Sequence, residues 1–196
     1  MSHYFTNDNN LSNLEYKFDY DFLGRKYLFL SKDGVFSKKR VDFGTNVLIN
    51  SLPNLDGKTI LDVGCGIGII SIMLAGAYKD CFVTGIDVND RALSLAKENA
   101  LKNKVNNVTF LNSNLYDNIT DSFDVIISNP PIRAGKKIVH GVVEKGYDHL
   151  NEGGKIYLVI QIKQGGLTLK KRMEEVFGNA YTIEKKNGYL ILMSEK

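Results

Sequence analysis

Residue types that cross-link small secreted proteins or hold metal ions are scarce in this chain. Two cysteines, Cys65 and Cys81, occur among the 196 residues, too few for a disulfide framework or a zinc-binding set. His140 and His149 have no partner at the spacing of metal ligands. No apolar run has the length of a membrane span, and the N-terminus lacks the apolar segment of a signal peptide. We therefore expect a cytoplasmic protein without a metal site or a membrane segment.

The length and composition are those of an ordinary globular protein. With 43% hydrophobic and 24% charged residues, the chain is long enough for one domain with its own core. We expect this single domain to have a flexible start (1–13), a hairpin and helix (14–56) and a core (57–196). The net charge of +3 is compatible with nucleic-acid binding but does not indicate it alone.

Hydrophobic periodicity predicts an N-terminal hairpin followed by an α/β core. Aromatic and charged residues alternate over 15–22, and a second strand returns over 26–31. We expect the aromatic face of this hairpin to pack on the main sheet, with a substrate platform as the alternative. From residue 59 onward strands alternate with helices, the pattern of a parallel sheet that binds ligands at its C-terminal edge.

The last third of the core has its own turn signals. We expect a helix through residues 138–150, a turn over 151–154 and a strand over 155–162. A terminal hairpin about Asn187-Gly188 is predicted, because this dipeptide is a strong signal for a two-residue turn. The second strand of that hairpin adds an antiparallel strand to the sheet.

A glycine-rich turn between a strand and a helix marks the predicted cofactor site. Residues 60–71 read Ile-Leu-Asp-Val-Gly-Cys-Gly-Ile-Gly-Ile-Ile-Ser, with Asp62 two positions before three alternating glycines. A dinucleotide-binding loop instead has the spacing Gly-x-Gly-x-x-Gly, and an acid beside it would repel a pyrophosphate. The loop therefore favours a nucleoside-type ligand with a cationic group, seated beside the first N–H groups of the helix.

A second acid follows the next predicted strand. Asp87 lies about 20 positions after the glycine loop, where an acid can accept hydrogen bonds from a ribose diol. It could instead cap the following helix, but Asn89 and Asp90 are available for that role. We therefore expect Asp87 to bind a ribose.

The sequence Asn129-Pro130-Pro131-Ile132 follows a nearly all-apolar predicted strand, Phe123–Ser128. The two prolines fix the backbone and remove two N–H donors. A free carbonyl and the Asn129 side-chain oxygen then lie side by side as acceptors, which suits an exocyclic amino group with two N–H bonds. In-line attack of such a nitrogen on a methyl group depends mostly on placement, and the proton is lost afterwards without a strong base.

Together, Asp-x-Gly-Cys-Gly-x-Gly and Ser-Asn-Pro-Pro-Ile resemble the motifs of the methyltransferase small family of class I S-adenosylmethionine-dependent methyltransferases. The similarity covers nearly the whole chain, including Asp42-Phe43-Gly44-Thr45 and Ser113-Asn114-Leu115. It implies a Rossmann-like fold with a mostly parallel seven-stranded sheet, an antiparallel C-terminal hairpin strand and an added N-terminal β-hairpin. The best-known members methylate the N2 amine of guanine in small-subunit ribosomal RNA. The resemblance implies that reaction, with 16S ribosomal RNA or the small subunit as partner.

The resemblance also implies the residues of the site. The target amine would be held by Asn129 and Pro130, within a catalytic motif completed by Pro131 and Ile132. Asp62 would lie near the amino-acid end of S-adenosylmethionine, Asp87 at its ribose, and Asn114 at its adenine. Thr45 would lie against the cofactor carboxylate or the target. The whole implied cofactor set is Thr45, Asp62, Gly64, Cys65, Gly66, Gly68, Asp87, Val88, Asn114 and Asn129.

The residues that would contact RNA are less clearly marked. The fourth position of the Asn-Pro-Pro motif is often an aromatic residue that stacks on the target base, whereas here it is Ile132. Stacking must then come from elsewhere, and Phe36 is one candidate. Basic residues before the helix and after the motif could form a rim for phosphates: Lys38, Lys39, Arg40, Arg133, Lys136 and Lys137.

Three other functions remain open on the sequence. The same chemistry could act on another amide or amine, such as a protein glutamine. A NAD-type oxidoreductase is disfavoured by the early third glycine and by the Asn-Pro-Pro motif. A non-catalytic RNA-binding or assembly protein could retain the cofactor pocket.

Overall fold

The computed structural model describes residues 14–35, 39–131 and 135–196. Within them, a two-stranded and a seven-stranded sheet are formed. The strands are β1 (Glu15–Phe22), β2 (Arg25–Lys32), β3 (Thr59–Val63), β4 (Phe82–Asp87), β5 (Val108–Asn112), β6 (Phe123–Ser128), β7 (Leu150–Gln161), β8 (Tyr181–Lys186) and β9 (Tyr189–Glu195). The helices are α1 (Phe43–Asn50), α2 (Ile69–Ala77), α3 (Asp90–Lys102), α4 (Lys136–Gly146) and α5 (Gly166–Phe177), with a 3₁₀ turn at Ile162–Gln164.

The seven-stranded sheet confirms the predicted fold class. Its order is β5-β4-β3-β6-β7-β9-β8. Neighbours from β5 to β7 are parallel, and β9 runs antiparallel to both β7 and β8. The chain moves outward from β3 to β4 and β5, then returns to β6 and β7 on the other side. The C-terminal ends of β3 and β6 therefore flank a switch point of the topology, where open α/β sheets bind ligands.

Two apolar cores lie on opposite faces of this sheet. One contains the buried residues of α1, α2 and α3 together with those of the hairpin. The other contains the buried residues of α4 and α5. The strands between them are nearly all apolar, as expected of parallel strands covered on both faces.

The N-terminal hairpin forms as predicted but packs on helices instead of the sheet. Strands β1 and β2 pair around Leu23-Gly24, whose φ angles of 48° and 76° give a tight two-residue turn. The hydroxyl of the fully buried Tyr27 donates to the carbonyl of Met73 in α2 at 3.1 Å. The predicted contact with the sheet is wrong, because α2 and α3 lie between the hairpin and the strands.

Two asparagines, one in α3 and one at its C-cap, bind the backbone of β2 as a neighbouring strand would. Asn99 accepts from the N–H of Leu30 at 2.7 Å and donates to its carbonyl at 3.0 Å. Asn103, one turn later, makes the same two bonds with Leu28 at 2.9 and 2.7 Å. Asn99 also donates to the carbonyl of Ile67 in the glycine loop at 3.0 Å. The helix thereby covers the edge of the hairpin and ties it to the predicted cofactor site.

The segment after α4 differs from the prediction. Helix α4 ends at Gly146, and the residues 151–154 expected to form a turn already belong to β7. Phe123 pairs with Leu150, whereas Val125 pairs with Lys155, so β7 has extra residues at this point. The N–H of Gly153 donates to the carbonyl of Lys196 at 3.0 Å. This segment is part of the sheet because the end of the chain supplies its partner.

The C-terminal hairpin is confirmed. Asn187 and Gly188 have φ angles of 46° and 79°, and β8 and β9 pair on either side of them.

Both cysteines are free and buried. In the described ranges, no helix is long and apolar enough to cross a membrane.

We predict that Asn99→Ala lowers the free energy of unfolding by about 2–4 kcal/mol, because it leaves buried N–H and C=O groups of Leu30 and Ile67 without partners. The adjacent change Glu98→Ala removes an exposed ion pair with Lys102 and should cost only about 0.5 kcal/mol. Denaturant unfolding of both variants measures the difference. Equal losses would show that the asparagine contacts do not hold the hairpin.

Candidate active site

A cleft of about 840 Å³ opens at the C-terminal edge of the parallel strands. This volume lies within the range of small-molecule and cofactor sites, roughly 300–1,000 Å³. Its walls include the glycine loop after β3, the end of β4 and the Asn-Pro-Pro segment after β6. Because β4 and β6 lie on either side of β3, their ends are about 10 Å apart at the usual strand spacing. The cleft therefore joins the predicted cofactor and target sites.

The N–H groups of the glycine loop are bonded within the protein. Those of Gly64 and Cys65 both donate to the carbonyl of Ile86, at 2.8 and 2.9 Å. The N–H of Gly66 donates to Asp87 Oδ2 at 2.9 Å, and that of Gly68 to the carbonyl of Cys65 at 3.0 Å. A loop that cradles phosphates must instead point such groups at its ligand. The loop thus lacks the donors that a pyrophosphate needs at these positions.

Gly68 has a structural reason to be glycine. Its φ of 84° is left-handed, and it precedes α2 as the N-cap residue. A Cβ atom here would lie 3.0 Å from Phe110 and 3.1 Å from Ala96. Gly68 does not line the cleft, and packing of α2 on α3 and β5 explains the glycine at this position.

Asp62 lies behind the loop instead of facing the cleft. It is 1% exposed, and its Oδ2 accepts from the hydroxyl and the N–H of Ser71 at 2.6 and 3.2 Å. Its Oδ1 is buried with no partner among the described residues. Burial raises the pKa of Asp62 to about 7, against the lowering effect of the Ser71 hydrogen bonds. This carboxyl therefore fixes the start of α2 from inside.

Asp87 faces the cleft at the end of β4. Its Oδ2 accepts from Gly66 and its Oδ1 from the N–H of Asn89, both at 2.9 Å. Burial raises the pKa of Asp87, while the N–H groups of Asn89 and Gly66 act in the opposite direction. Asn89 caps α3 by accepting from Ala92, so Asp87 is not needed as the cap. Each carboxylate oxygen keeps a further lone pair for a ligand hydroxyl.

Asn129 is held by two residues at the start of α1. Its Nδ2 donates to Thr45 Oγ1 at 2.9 Å and lies 3.3 Å from both carboxylate oxygens of Asp42. The Thr45 hydroxyl in turn donates to Asp42 Oδ2. A carboxylate can only accept, so the amide nitrogen of Asn129 must face Asp42. The amide oxygen accepts nothing from the described residues and remains available as an acceptor.

Most of the predicted cofactor set lines the cleft: Thr45, Gly64, Cys65, Gly66, Asp87, Val88, Asn114 and Asn129. Asp62 and Gly68 do not. Of the predicted catalytic motif, Asn129, Pro130 and Pro131 line the cleft. Ile132 lies outside the described residues, as do Phe36, Lys38 and Arg133.

The four described residues of the predicted basic rim do not line the cleft. Lys39 and Arg40 are exposed and come just before Asp42, which lines the cleft. Lys136 and Lys137 are exposed at the first turn of α4 and come just before Ile138, which also lines it. These residues are neighbours in sequence of the cleft wall, and their contact with RNA stays a prediction.

The sequence profile of the methyltransferase small domain matches residues 26–193. The chain belongs to the methyltransferase small domain family. This membership confirms the predicted enzyme class, an S-adenosylmethionine-dependent methyltransferase, and the cleft residues fit that cofactor. The carboxylate of Asp87 faces the cleft at the end of β4, and the N–H groups of the glycine loop are bonded within the protein and do not point at a phosphate.

The similar proteins differ in length. An uncharacterized Bacillus subtilis protein, YbxB, is 41% identical over 99% of this chain and 98% of its own. Ribosomal RNA small subunit methyltransferase C of Erwinia tasmaniensis is 35% identical over 74% of this chain and 43% of its own. The T. thermophilus 16S rRNA N2 G1207 methyltransferase, solved with AdoMet and guanosine, superposes with a TM-score of 0.85 at 26% identity. It covers 94% of this chain, which spans 51% of that structure.

Three cleft residues have no role that the sequence pattern predicts. Asp42 could be recognised as a helix cap, but its contact with Asn129 joins positions 87 apart in the chain. Gln161 and Tyr189 meet because β9 inserts between β7 and β8. Such pairings depend on the order of strands in space, which no local motif records.

We predict that raising the pH destabilises the cofactor-free protein through Asp62. Its pKa is about 7 in the folded protein, against an ordinary 3.8. The folded state therefore retains this proton to a higher pH than the unfolded state does. Stability is lost as the pH rises from about 4 to about 7, by up to roughly 1.4 kcal/mol per pH unit, and then levels off. Asp62→Asn should remove this slope. Denaturant unfolding of both proteins at several pH values measures it, and parallel curves would contradict the raised pKa.

Proposed function

We propose that this protein methylates an exocyclic amine of an RNA base, with guanine N2 of small-subunit ribosomal RNA as the first candidate. The observation that carries the proposal is the fixed orientation of Asn129, whose amide nitrogen is held by Thr45 and Asp42. An acceptor atom to which no described residue donates therefore lies at the end of β6. A planar amine with two N–H bonds is the matching donor.

The Asn-Pro-Pro segment supplies the geometry for transfer. Neither proline carries an N–H donor, and both line the cleft beside Asn129. An amine that donates to the Asn129 oxygen and to the Pro130 carbonyl has its lone pair directed away from both. Bound S-adenosylmethionine supplies an electrophilic methyl group on a sulfonium. Placement of the amine then provides most of the acceleration, and its proton leaves after transfer.

The other cleft residues divide the binding of the cofactor among them. Asp87 accepts from the ribose hydroxyls with the lone pairs that Gly66 and Asn89 leave open. Asn114, after β5, and Val88 line the cleft, and the proposal assigns both to the adenine. Asp62 acts from behind by holding Ser71 and the start of α2.

RNA as the substrate is supported by the relatives and by the charge around the opening. The named relatives from Erwinia and T. thermophilus act on ribosomal RNA of the small subunit. Lys39, Arg40, Lys136 and Lys137 are exposed close to cleft-lining positions. Lysine and arginine side chains at such a rim bind phosphates and position the nucleic acid without reading its sequence.

We predict that the wild-type protein transfers labelled methyl groups from S-adenosylmethionine to 16S ribosomal RNA, forming N2-methylguanine. Asn129→Ala should lower kcat about 100-fold, because the amine loses its orienting acceptor. Its affinity for adenosylhomocysteine should stay within about threefold, because the carboxylate at the ribose position is untouched. The measurements are filter-bound counts, mass spectrometry of the digested RNA and calorimetry.

The control for this experiment is Asn151→Ala. Asn151 is an exposed asparagine at the opposite edge of the sheet, near the start of β7, where it donates to Asp124. Its replacement should leave transfer unchanged. Undiminished kcat in Asn129→Ala would contradict the amine-holding role, and label found in glutamine side chains instead of RNA would contradict the base as target.

We predict that Lys136→Glu with Lys137→Glu weakens RNA binding and lowers the slope of log affinity against log salt by about one to two. Glutamate at the first turn of α4 is favourable to the helix, so the fold should not suffer. The matched control is Lys170→Glu with Lys171→Glu on α5, which should change neither quantity. Equal effects of the two pairs would contradict a local RNA rim, and calorimetry or filter binding at several salt concentrations measures them.

A further inference from the structure

A tyrosine stands on the wall of the cleft opposite the glycine loop. Tyr189 is the first residue of β9 and pairs with Gln161, the last residue of β7. The Gln161 Nε2 donates to the Tyr189 hydroxyl at 2.5 Å. Both side chains line the cleft, so the ring is fixed at its polar end by a neighbour on the adjacent strand.

The same ring is fixed at its sides by the start of α1. A Cβ atom on Gly44 would lie 3.0 Å from Tyr189 Cε1 and 3.2 Å from Asp42 Oδ1. The ring of Phe43 lies 5.4 Å from that of Tyr189, at an angle of 52°. The absence of a side chain on Gly44 therefore lets the tyrosine approach the carboxylate that orients Asn129.

We propose that Tyr189 is the surface on which the target base rests while Asn129 holds its amine. This inference rests on the proposed function, because it assumes that the substrate is a planar base. The ring lies against Gly44, and Asp42, two residues earlier, contacts the amide nitrogen of Asn129. Tyr189 and Asn129 line the same cleft, so a base whose amine is bound by Asn129 lies in the cleft that the ring borders.

Two features of the chain favour Tyr189 as the stacking surface for the base. Bases bind proteins by stacking on aromatic side chains, and position 132 of the Asn-Pro-Pro motif is Ile, which offers no ring. Tyr189 is half-buried and held at both its hydroxyl and its edge, so little rotamer freedom remains to be lost when a base binds.

The test compares Tyr189→Leu with Tyr189→Phe. Tyr189→Leu removes the ring and should raise the KM for RNA, and weaken the binding of guanosine to the adenosylhomocysteine-loaded protein, by about 10-fold or more. Tyr189→Phe keeps the ring and should stay within about threefold of wild type in both. The affinity for adenosylhomocysteine should be unchanged in each variant, which shows that the fold and the cofactor side of the cleft are intact.

The matched control is Tyr181→Leu, an exposed tyrosine on the other strand of the same hairpin that does not line the cleft. It should leave KM and guanosine affinity unchanged. Unaltered KM and guanosine affinity in Tyr189→Leu would overturn the proposal. Equal losses in the Phe and Leu variants would also overturn it, since they would assign the effect to the hydroxyl.

These outcomes are separable from a failure of the proposed function. If the wild-type protein transfers no methyl group to RNA, the proposed function fails. The guanosine measurement still decides the role of Tyr189, because it requires binding and no turnover. If transfer occurs and only the tyrosine comparison fails, the amine-holding role of Asn129 stands without the stacking surface.

Discussion

One chain of hydrogen bonds determines which atom the active site offers to its substrate. Asn129 donates to Thr45, Thr45 donates to Asp42, and the Asp42 carboxylate can only accept. The amide nitrogen is therefore turned inward and the amide oxygen outward. Two consecutive prolines hold the backbone that follows. Asp42, which lies before the sheet, is thus part of the proposed site, because without it the amide could turn over and present a donor to the proposed target amine, which is itself a donor.

On the cofactor side of the cleft, the N–H groups of the glycine loop are hydrogen-bonded within the protein. The N–H groups of Gly64, Cys65, Gly66 and Gly68 all bond to protein oxygens. Asp87 at the end of β4 keeps lone pairs that can accept from a ligand hydroxyl. A carboxylate beside the loop favours a ligand with hydroxyl or amino donors and disfavours one with phosphates. Hydrogen bonding within the loop therefore supports the distinction that the glycine spacing indicates.

Motifs bounded by one strand and one turn were predictable, whereas contacts between distant segments were not. The ends of parallel strands meet at one edge of a sheet. The sequence could therefore place at one site the glycine loop, Asp87 with its neighbour Asn89, and Asn129. The turning of Asp62 away from the cleft was not predictable, because it depends on a buried hydroxyl nine positions later. The sequence did not predict the contacts of Asp42, Gln161 and Tyr189, because their partners are supplied by strand order and helix docking. The start of β7 was misplaced because its partner is the last residue of the chain.

The N-terminal hairpin and the cofactor loop share the same supports, so the hairpin is more than an addition to the core. Asn99 of α3 binds both Leu30 in β2 and the carbonyl of Ile67 in the loop. Asn89, which caps α3 behind Asp87, also donates to the carbonyl of Gly34 at 3.2 Å. Both asparagines satisfy backbone groups that would otherwise be buried without partners. The hairpin and the cofactor loop are therefore held by the same side chains, and a change that loosens the hairpin is expected to disturb the loop.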